Sequence, residues 1–148
     1  VGDKVNIERS MRMGDEIGGH VMSGHIAGTA EVVRRQEDGD NVELRLRLPE
    51  ALDDYVFEKG FIGLNGCSLT VTDLVQKNGG TEFSVWLIPE TLKLTTFAEV
   101  TEGSRVNVEI DPKTQVIVDT VKRELREQFH KSLAKDFVNL TIESSQSN

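Results

Sequence analysis

Three short segments of the chain gather side chains that could bind or activate a ligand. In the first, residues 18–26, glycines precede both His20 and His25. Glycine lets the backbone approach a flat ligand closely, and an imidazole at the rim could bind the ligand or move a proton. The alternative is an interdomain linker whose glycines provide flexibility, and the pattern alone favours this alternative slightly.

The second segment, residues 59–72, places two hydroxyl groups on one face of a predicted strand. Ser68 and Thr70 are two residues apart, so their side chains point the same way. Such a pair suits hydrogen bonding to a ring or a polyol, although ordinary polar residues on a solvated strand face share this spacing. Cys67 points to the opposite face, which predicts a core position rather than a nucleophile.

The third segment, residues 86–92, contains a proline near the end of a predicted strand. Pro89 has no backbone N–H to donate and is excluded from the middle of a sheet. It therefore predicts a strand end or a sheet edge, where backbone amides and carbonyls stay free for a ligand.

The composition argues against several other classes of function. The 148-residue chain has a net charge of −8 and a pI near 4.9, which argues against a nucleic-acid partner because phosphate binding needs a basic surface. No apolar run is long enough to predict a membrane span. The single Cys67 fits a reducing compartment, and the three histidines are not spaced as metal ligands, so no metal site is predicted.

The elements that must position these segments are mostly strands. Residues 42–48 alternate strictly between apolar and charged side chains, which indicates a strand with one buried face. Further strands are predicted over 25–36, 61–75, 82–88 and 104–110, with strong turn signals at Glu-Asp-Gly-Asp and Lys-Asn-Gly-Gly. Short strands joined by hairpins predict an all-β fold, built as a small closed antiparallel barrel.

The last part of the chain changes to a helical period. Apolar residues recur every three or four positions between 118 and 137, with charged residues between them. They predict an amphipathic helix over 118–140. Its narrow apolar stripe suits packing either on its own domain or on copies of itself in an oligomer. The polar residues 141–148 are predicted to be disordered.

A repeated segment indicates a duplicated domain. Gly-Asp-Lys-Val-Asn-Ile-Glu at 2–8 returns as Gly-Ser-Arg-Val-Asn-Val-Glu at 103–109. This period is longer than a solenoid repeat and is typical of tandem domains. We therefore expect residues 1–10 to be the closing strand of an otherwise missing first barrel, 11–20 a linker and 21–117 a complete second barrel.

The order and spacing of these motifs resemble the riboflavin synthase family. The shared motifs are Met-Ser-Gly-His-Ile at 22–26, Gly-Cys-Ser-Leu-Thr-Val at 66–71 and Leu-Ile-Pro-Glu-Thr-Leu at 87–92, followed by Asp111 and Pro112. Members of the family carry two tandem lumazine-binding barrels and a C-terminal helix, and this chain resembles the second barrel with its helix. The resemblance implies a six-stranded antiparallel Greek-key barrel.

The same resemblance implies an enzyme and its reaction. Two molecules of 6,7-dimethyl-8-ribityllumazine exchange a four-carbon unit and give riboflavin and 5-amino-6-ribitylaminouracil. One molecule donates the unit and the other accepts it, so no metal or redox cofactor is expected. Holding two flat rings face to face would convert a two-body encounter into an intramolecular one.

The resemblance also assigns roles to individual residues. Proton transfer and activation of a nucleophile fall to His25, Ser68, Thr70 and Asp111. Structural roles stay open, since Asp111 could simply end a strand and Ser68 could satisfy a local backbone group. Asn65 stands where second barrels often carry Asp, and this departure removes a potential base from that position.

The substrate-binding positions implied by the resemblance lie in all three segments. Backbone groups near Ile26, Thr70 and Ile88 would hold the pteridine ring, and Lys59 would face the ribityl chain or a neighbouring subunit. The full set of these positions is Gly24, His25, Ile26, Lys59, Ser68, Leu69, Thr70, Trp86, Leu87, Ile88, Pro89, Glu90 and Thr91.

The resemblance finally implies an assembly. Family members are homotrimers built largely through the C-terminal helix, with each active site between the first barrel of one subunit and the second barrel of another. This chain would then present half a site and catalyse poorly by itself. An association with lumazine synthase, and a cytoplasmic location or a plastid one in a plant, follow from the same resemblance.

Two rival interpretations stay open at this point. One is a non-catalytic lumazine- or flavin-binding protein that serves as an optical antenna. The other is a small barrel whose groove binds a peptide or an oligonucleotide. The acidic charge and the aromatic content of only 5% count against the second, because single-stranded nucleic acids are held by cationic grooves and stacking aromatics.

Overall fold

The computed structural model describes residues 2–77 and 79–146, with side chains described through Ser132. The chain divides into two compact units, Val1–Pro112 and Lys113–Asn148. The first unit contains all seven strands of the described residues, and the second is a helix.

The seven strands form one antiparallel sheet in the order β4-β3-β7-β1-β2-β6-β5. A short helix, α1, follows β6, and two 3-10 turns at Glu50–Tyr55 and Thr96–Glu99 lie in the longer connections. The strands are β1 (Gly28–Asp38), β2 (Asn41–Pro49), β3 (Phe61–Leu64), β4 (Cys67–Thr70), β5 (Thr72–Lys77), β6 (Gly80–Leu87) and β7 (Arg105–Ile110), and the helices are α1 (Pro89–Leu94) and α2 (Pro112–Gln146).

The strand count of seven corrects the predicted count of six, and the cause is one broken strand. β4 and β5 stand at opposite ends of the sheet, yet only the buried Val71 separates them along the chain. β4 pairs with β3 and β5 pairs with β6, so the corner at Val71 joins the two ends and curls the sheet into a barrel. The left-handed backbone of Asp73, with φ of 50°, adds to the bend.

The connections follow the predicted Greek-key pattern. β3, the broken strand β4–β5 and β6 are joined by consecutive hairpins, and β7 then returns to lie beside β3. This return places the end of β7 next to the β3–β4 hairpin, where the segments with candidate chemistry meet.

The barrel interior is filled from alternate positions of its strands, as the period of residues 42–48 predicts. Burying each large apolar side chain contributes about 1.5–3 kcal/mol. On β2 and its partner β6, the fully buried side chains are Leu44, Leu46, Leu48, Phe83, Val85 and Leu87.

The outer face of β2, β5 and β6 carries a charge cluster around Glu82, which we call the Glu82 cluster. The Glu82 carboxylate is 4% exposed and accepts hydrogen bonds from Lys77 Nζ at 2.5 Å and Arg47 Nη2 at 2.8 Å. Arg45 Nε lies 3.6 Å from the same carboxylate. The hydrogen bond from Lys77, followed by that from Arg47, holds the pKa of Glu82 below its usual range despite its burial.

The helix α2 begins earlier than the predicted helix over 118–140. Proline is favoured in the first turn of a helix because its fixed φ fits and its missing N–H would be unpaired there anyway, and Pro112 is the first residue of α2. Residues 141–146, expected to be disordered, continue α2, and residues 147–148 lie outside the described residues. Among the described helices, none is both long and apolar enough to cross a membrane.

The N-terminal segment, residues 2–27, has no regular strand in the structure. The closing strand expected over residues 1–10 is therefore not formed over residues 2–10, and Val1 lies outside the described residues. The segment is instead attached to the barrel by a few side chains, among them Asn6 and His20.

Candidate functional site

An open cavity of about 1120 Å³ lies between the N-terminal segment and the barrel. Most of its lining comes from residues 7–12 and 15–24. The barrel contributes Gly66, Cys67, Ser68 and, from β7, Glu109. Two of the predicted site residues, Gly24 and Ser68, line this cavity.

Glu109 anchors the end of the N-terminal segment. Its carboxylate is 2% exposed and accepts hydrogen bonds from Ser23 Oγ at 2.8 Å and from the Gly24 amide at 3.0 and 3.1 Å. The Ser23 amide donates to the same carboxylate. Gly24 has φ of 79°, a conformation that glycine adopts without strain. Glu109 therefore fixes the turn that leads into His25 and Ile26.

Gly63 lets the N-terminal segment approach β3 closely. A Cβ atom at this position would lie 2.3 Å from Met22 Cε and 2.9 Å from Glu109 Cβ. Any larger residue would therefore displace Met22 and disturb the carboxylate that holds Ser23 and Gly24. Gly63 thus permits a close approach of the Met22 and Glu109 side chains to β3.

His20 and Ser68 form a pair in the lining of the cavity. Ser68 Oγ lies 3.0 Å from the His20 amide and 2.7 Å from His20 Nδ1. The imidazole stacks on Phe61, with ring centroids 5.3 Å apart and an angle of 18° between the planes. A Cβ atom on Gly19 would lie 2.5 Å from Ser68 Oγ, so glycine is required there for the two segments to meet.

The two copies of the repeated segment meet at the β3–β4 turn. Asn6 Nδ2 donates to the Asn65 carbonyl at 2.8 Å, and Asn6 Oδ1 accepts from the Thr96 amide at 2.8 Å. Asn65 Oδ1 in turn accepts from the Asn107 amide at 2.8 Å. Asn65 has φ of 46°, a left-handed conformation that Asn tolerates well. Its side chain ties the turn to β7, a structural role in which no base is needed.

Cys67 is half-buried: it packs against the barrel core, and it also lines the cavity, where its Sγ lies 3.8 Å from Asn6 Nδ2. Burial raises the pKa of its thiol, and the negative charge of Glu8 raises that pKa further. The thiolate is the nucleophilic form, so these surroundings disfavour nucleophilic chemistry at Cys67.

A second group of predicted residues lies on the exposed outer face around the β4–β5 corner. The Lys59 amide donates to the Val71 carbonyl at 2.9 Å, which places Lys59 beside the corner. Thr70 is exposed at the end of β4, and the Trp86 side chain is 42% exposed on β6. Because Thr72 pairs with Ser84 and β4 also contacts β6, the Thr70 end of β4 lies next to the Trp86 end of β6.

The remaining predicted positions are spread around these two groups. Leu87 is fully buried in the core, and Leu69 packs against the core. Both side chains therefore face away from any surface ligand. Asp111, which follows β7 directly along the chain, is half-buried and has an interaction partner. The exposed positions are His25 and Ile26 before β1, Ile88 after β6, and Pro89 and Glu90 at the start of α1.

Thr91 is half-buried within α1. Its carbonyl accepts from the Thr95 amide at 3.1 Å and from Thr95 Oγ1 at 2.6 Å. This backbone group is therefore occupied within the connection that follows β6.

The residues that hold the cavity together were not among the predicted site residues. His20, Ser23 and Glu109 act through contacts with residues 48 to 86 positions away. One signal for Glu109 was available, because the repeated segment keeps Glu at the end of both of its copies, at positions 8 and 109. Among the described residues no group of His, Cys, Asp and Glu is placed to hold a metal ion.

The barrel and its cavity define the class of protein. The family model described as "Lumazine binding domain" matches residues 23–111, which is more than half of the chain. The chain belongs to the lumazine-binding domain family.

The similar curated proteins are riboflavin synthases. The chain is 49% identical over 126 residues to riboflavin synthase of Escherichia coli strain K12, covering 84% of this chain and 57% of that protein. It is 50% identical over 121 residues to riboflavin synthase of Chlamydia pneumoniae, covering 82% of this chain and 56% of that protein. The chain thus spans little more than half the length of these relatives.

Solved structures share the fold. The crystal structure of LumP complexed with 6,7-dimethyl-8-(1'-D-ribityl) lumazine matches with a TM-score of 0.56 and 23% identity, over 65% of this chain and 52% of that chain. The crystal structure of LumP complexed with riboflavin matches with a TM-score of 0.53 and 26% identity, over 66% of this chain and 50% of that chain. These likenesses support the lumazine-binding barrel as the fold.

Proposed function

We propose that this chain acts in the riboflavin synthase reaction, the transfer of a four-carbon unit between two molecules of 6,7-dimethyl-8-ribityllumazine. The observation that carries the proposal is an identity of 49% to 50% with riboflavin synthases over more than four-fifths of the chain. The products are riboflavin and 5-amino-6-ribitylaminouracil, and the carbon unit lost by one molecule is gained by the other.

The geometry supports a site for one flat ring along β4. Ser68 offers a hydroxyl in the cavity lining, and Thr70 offers a second hydroxyl on the exposed part of the same strand. Trp86 adds an exposed aromatic surface on β6, the strand that β4 contacts. Hydroxyls along one edge of a ring and an aromatic surface nearby suit a polar heterocycle. In this proposal His25 and Asp111 assist proton transfer, and Lys59, Glu90 and Thr91 face the ribityl chain or a neighbouring subunit.

We propose that this barrel supplies one half of an intersubunit site. The reaction needs two substrate rings in contact, and one barrel presents one set of motifs. The exposure of Thr70, Trp86 and Ile88 leaves this face open to a second ring and a second protein surface. A homotrimer built through α2, an association with lumazine synthase and a cytoplasmic or plastid location are further parts of this proposal.

The test is to incubate the purified chain with 6,7-dimethyl-8-ribityllumazine and to follow riboflavin fluorescence. We expect binding of the substrate but turnover far below that of an intact two-barrel enzyme measured in parallel. Turnover comparable to the intact enzyme would contradict the half-site, and failure to bind either lumazine or riboflavin would contradict the proposed function. A chromophore that stays bound throughout purification, without turnover, would favour the antenna-type protein.

The binding measurement has a matched pair of variants. Thr70→Val removes a hydroxyl from the proposed site while keeping the shape of the side chain, and Thr120→Val makes the same change on the exposed surface of α2. We expect Thr70→Val to weaken riboflavin binding about tenfold, the value of one hydrogen bond of about 1.4 kcal/mol. Thr120→Val should leave the affinity unchanged.

A further inference from the structure

The His20–Ser68 pair has two possible directions of hydrogen bonding, and they give Ser68 opposite roles. If the Ser68 hydroxyl donates to His20 Nδ1, the imidazole acts as a base and Ser68 is primed as a nucleophile. If Nδ1–H donates to Ser68 Oγ, the Ser68 O–H is available to donate a hydrogen bond to another group. The separation of 2.7 Å between Nδ1 and Oγ fits either direction.

The surroundings of the other ring nitrogen distinguish the two directions. His20 Nε2 is buried and has no hydrogen-bond partner among the described residues. A neutral imidazole carries its proton on one nitrogen only, so a proton accepted at Nδ1 requires a proton on Nε2. That choice would bury an unpaired N–H donor, an arrangement that folded proteins rarely contain. With the proton on Nδ1, every N–H of His20 is used, and the group left without a partner is the bare acceptor Nε2, a less rare arrangement than an unpaired N–H.

The hydrogen bonds at Ser68 Oγ agree with this direction. A serine oxygen has two acceptor positions and one proton. The His20 amide, 3.0 Å away, fills one acceptor position, and Nδ1–H fills the second. The Ser68 O–H then has no acceptor within the pair. Because Ser68 lines the open cavity, this O–H can donate to a ligand there.

We propose that His20 donates to Ser68 through Nδ1–H, so that the Ser68 hydroxyl serves as a hydrogen-bond donor to a carbonyl oxygen or ring nitrogen of a ligand in the cavity and not as a nucleophile. The role of His20 is then that of a positioning residue. It is held by the stack on Phe61 and by the close approach that Gly19 allows. The identity of the ligand as a flavin-like ring rests on the proposed function.

The direct test is a long-range ¹H–¹⁵N spectrum of the whole chain labelled at histidine. A protonated ring nitrogen and a bare one resonate far apart, so the spectrum reports which nitrogen carries the proton. His20→Gln identifies the His20 signals among those of the three histidines. We expect a proton on Nδ1 of His20. A bare Nδ1 would overturn the proposal, because His20 would then accept from Ser68.

Riboflavin titrations test the consequence for a ligand. Ser68→Ala should weaken binding about tenfold, since it removes the proposed donor. His20→Gln, whose amide can still donate to Ser68, should keep most of the affinity, whereas His20→Phe keeps the stack but cannot donate and should weaken binding. Equal losses for Gln and Phe would overturn the positioning role. Absence of binding by the unaltered chain would contradict the proposed function, and the Nδ1 proton still decides the direction of the hydrogen bond.

Discussion

The carboxylates of two buried glutamates, Glu82 and Glu109, are bound by different kinds of partner. Glu82 lies on the outer face of the barrel and is paired with Lys77, Arg47 and Arg45. Glu109 lies at the cavity and is held by backbone amides and a hydroxyl of residues 23 and 24. The first arrangement joins strands that already pair with each other, and the second attaches a segment that has no strand of its own.

We therefore expect Glu82 to contribute to the stability of the barrel and Glu109 to contribute to ligand binding. The Glu82 cluster cross-links β2, β5 and β6, so its loss should act on the unfolding of the barrel. Glu109 determines where the turn at Gly24 and the start of β1 stand relative to Ser68, so its loss should act on the ligand. Substituting one glutamate at a time should therefore affect either stability or ligand binding, but not both.

The largest expected effect is that of Glu109→Ala on ligand binding. The substitution removes hydrogen bonds to a charged group, each worth about 1.5–3 kcal/mol, and releases residues 22–26 from the barrel. We expect the affinity for riboflavin to fall about 100-fold in a fluorescence titration. Glu82→Ala is the matched control and should leave the affinity unchanged. Equal losses of affinity in both variants would contradict the separate roles of the two glutamates.

Glu82→Ala should instead lower the stability of the barrel. It leaves Lys77, Arg47 and Arg45 without their shared carboxylate, but Lys77 and Arg47 are half-exposed and can be solvated. We expect the free energy of unfolding to fall by about 1–3 kcal/mol in urea titrations. A change within about 0.5 kcal/mol, as for an ordinary surface substitution, would show that the cluster is not stabilising.

The contribution of Glu82 should depend on pH in a defined direction. The pKa of this carboxyl is lowered in the folded protein, so the unfolded chain binds its proton more readily and stability rises with pH. The contribution is complete above the ordinary Glu value of about 4.3 and is lost as the pH falls through the lower folded value. The difference in unfolding free energy between the unaltered chain and Glu82→Gln should therefore shrink as the pH falls from about 5 to about 3. A difference that grows on acidification would contradict the lowered pKa.

The smallest expected effect is that of Lys77→Ala. Its ammonium group is half-exposed, and both arginines remain beside Glu82 after the substitution. We expect a loss of about 0.2–1 kcal/mol in the free energy of unfolding, reduced further by added salt. Lys93→Ala on α1 is the matched control and should cost less. A loss above that of Glu82→Ala would mean that Lys77 acts outside the cluster.

The sequence predicts those parts of the fold that depend on local pattern. The period-two alternation in residues 42–48 correctly indicates the buried face of β2, and the turn signals separate β1 from β2 and β5 from β6. The break at Val71 was missed because it depends on where the strand changes partners, which is a property of the whole barrel. The early start of α2 could have been expected from Pro112, which is favoured in the first turn of a helix.

The candidate site was predicted only in part, because some of its contacts depend on the topology of the whole barrel and not on local sequence. The motifs identified Gly24 and Ser68, which both line the cavity. The partners that hold them, His20 and Glu109, are joined to them by contacts across 48 and 85 residues of sequence. Such contacts are set by the topology of β3, β4 and β7, and no local spacing encodes them.

The proposed function requires a flavin-like ring to bind along β4, next to the turn held by Glu109. The most direct measurement is a titration of the isotope-labelled chain with riboflavin, followed through the backbone amide signals in ¹H–¹⁵N spectra. We predict shifts concentrated at residues 24–26, 68–70, 86–88 and 90–91, with no change around Glu82. The absence of shifts, or shifts confined to the outer face of β2 and β5, would contradict the account.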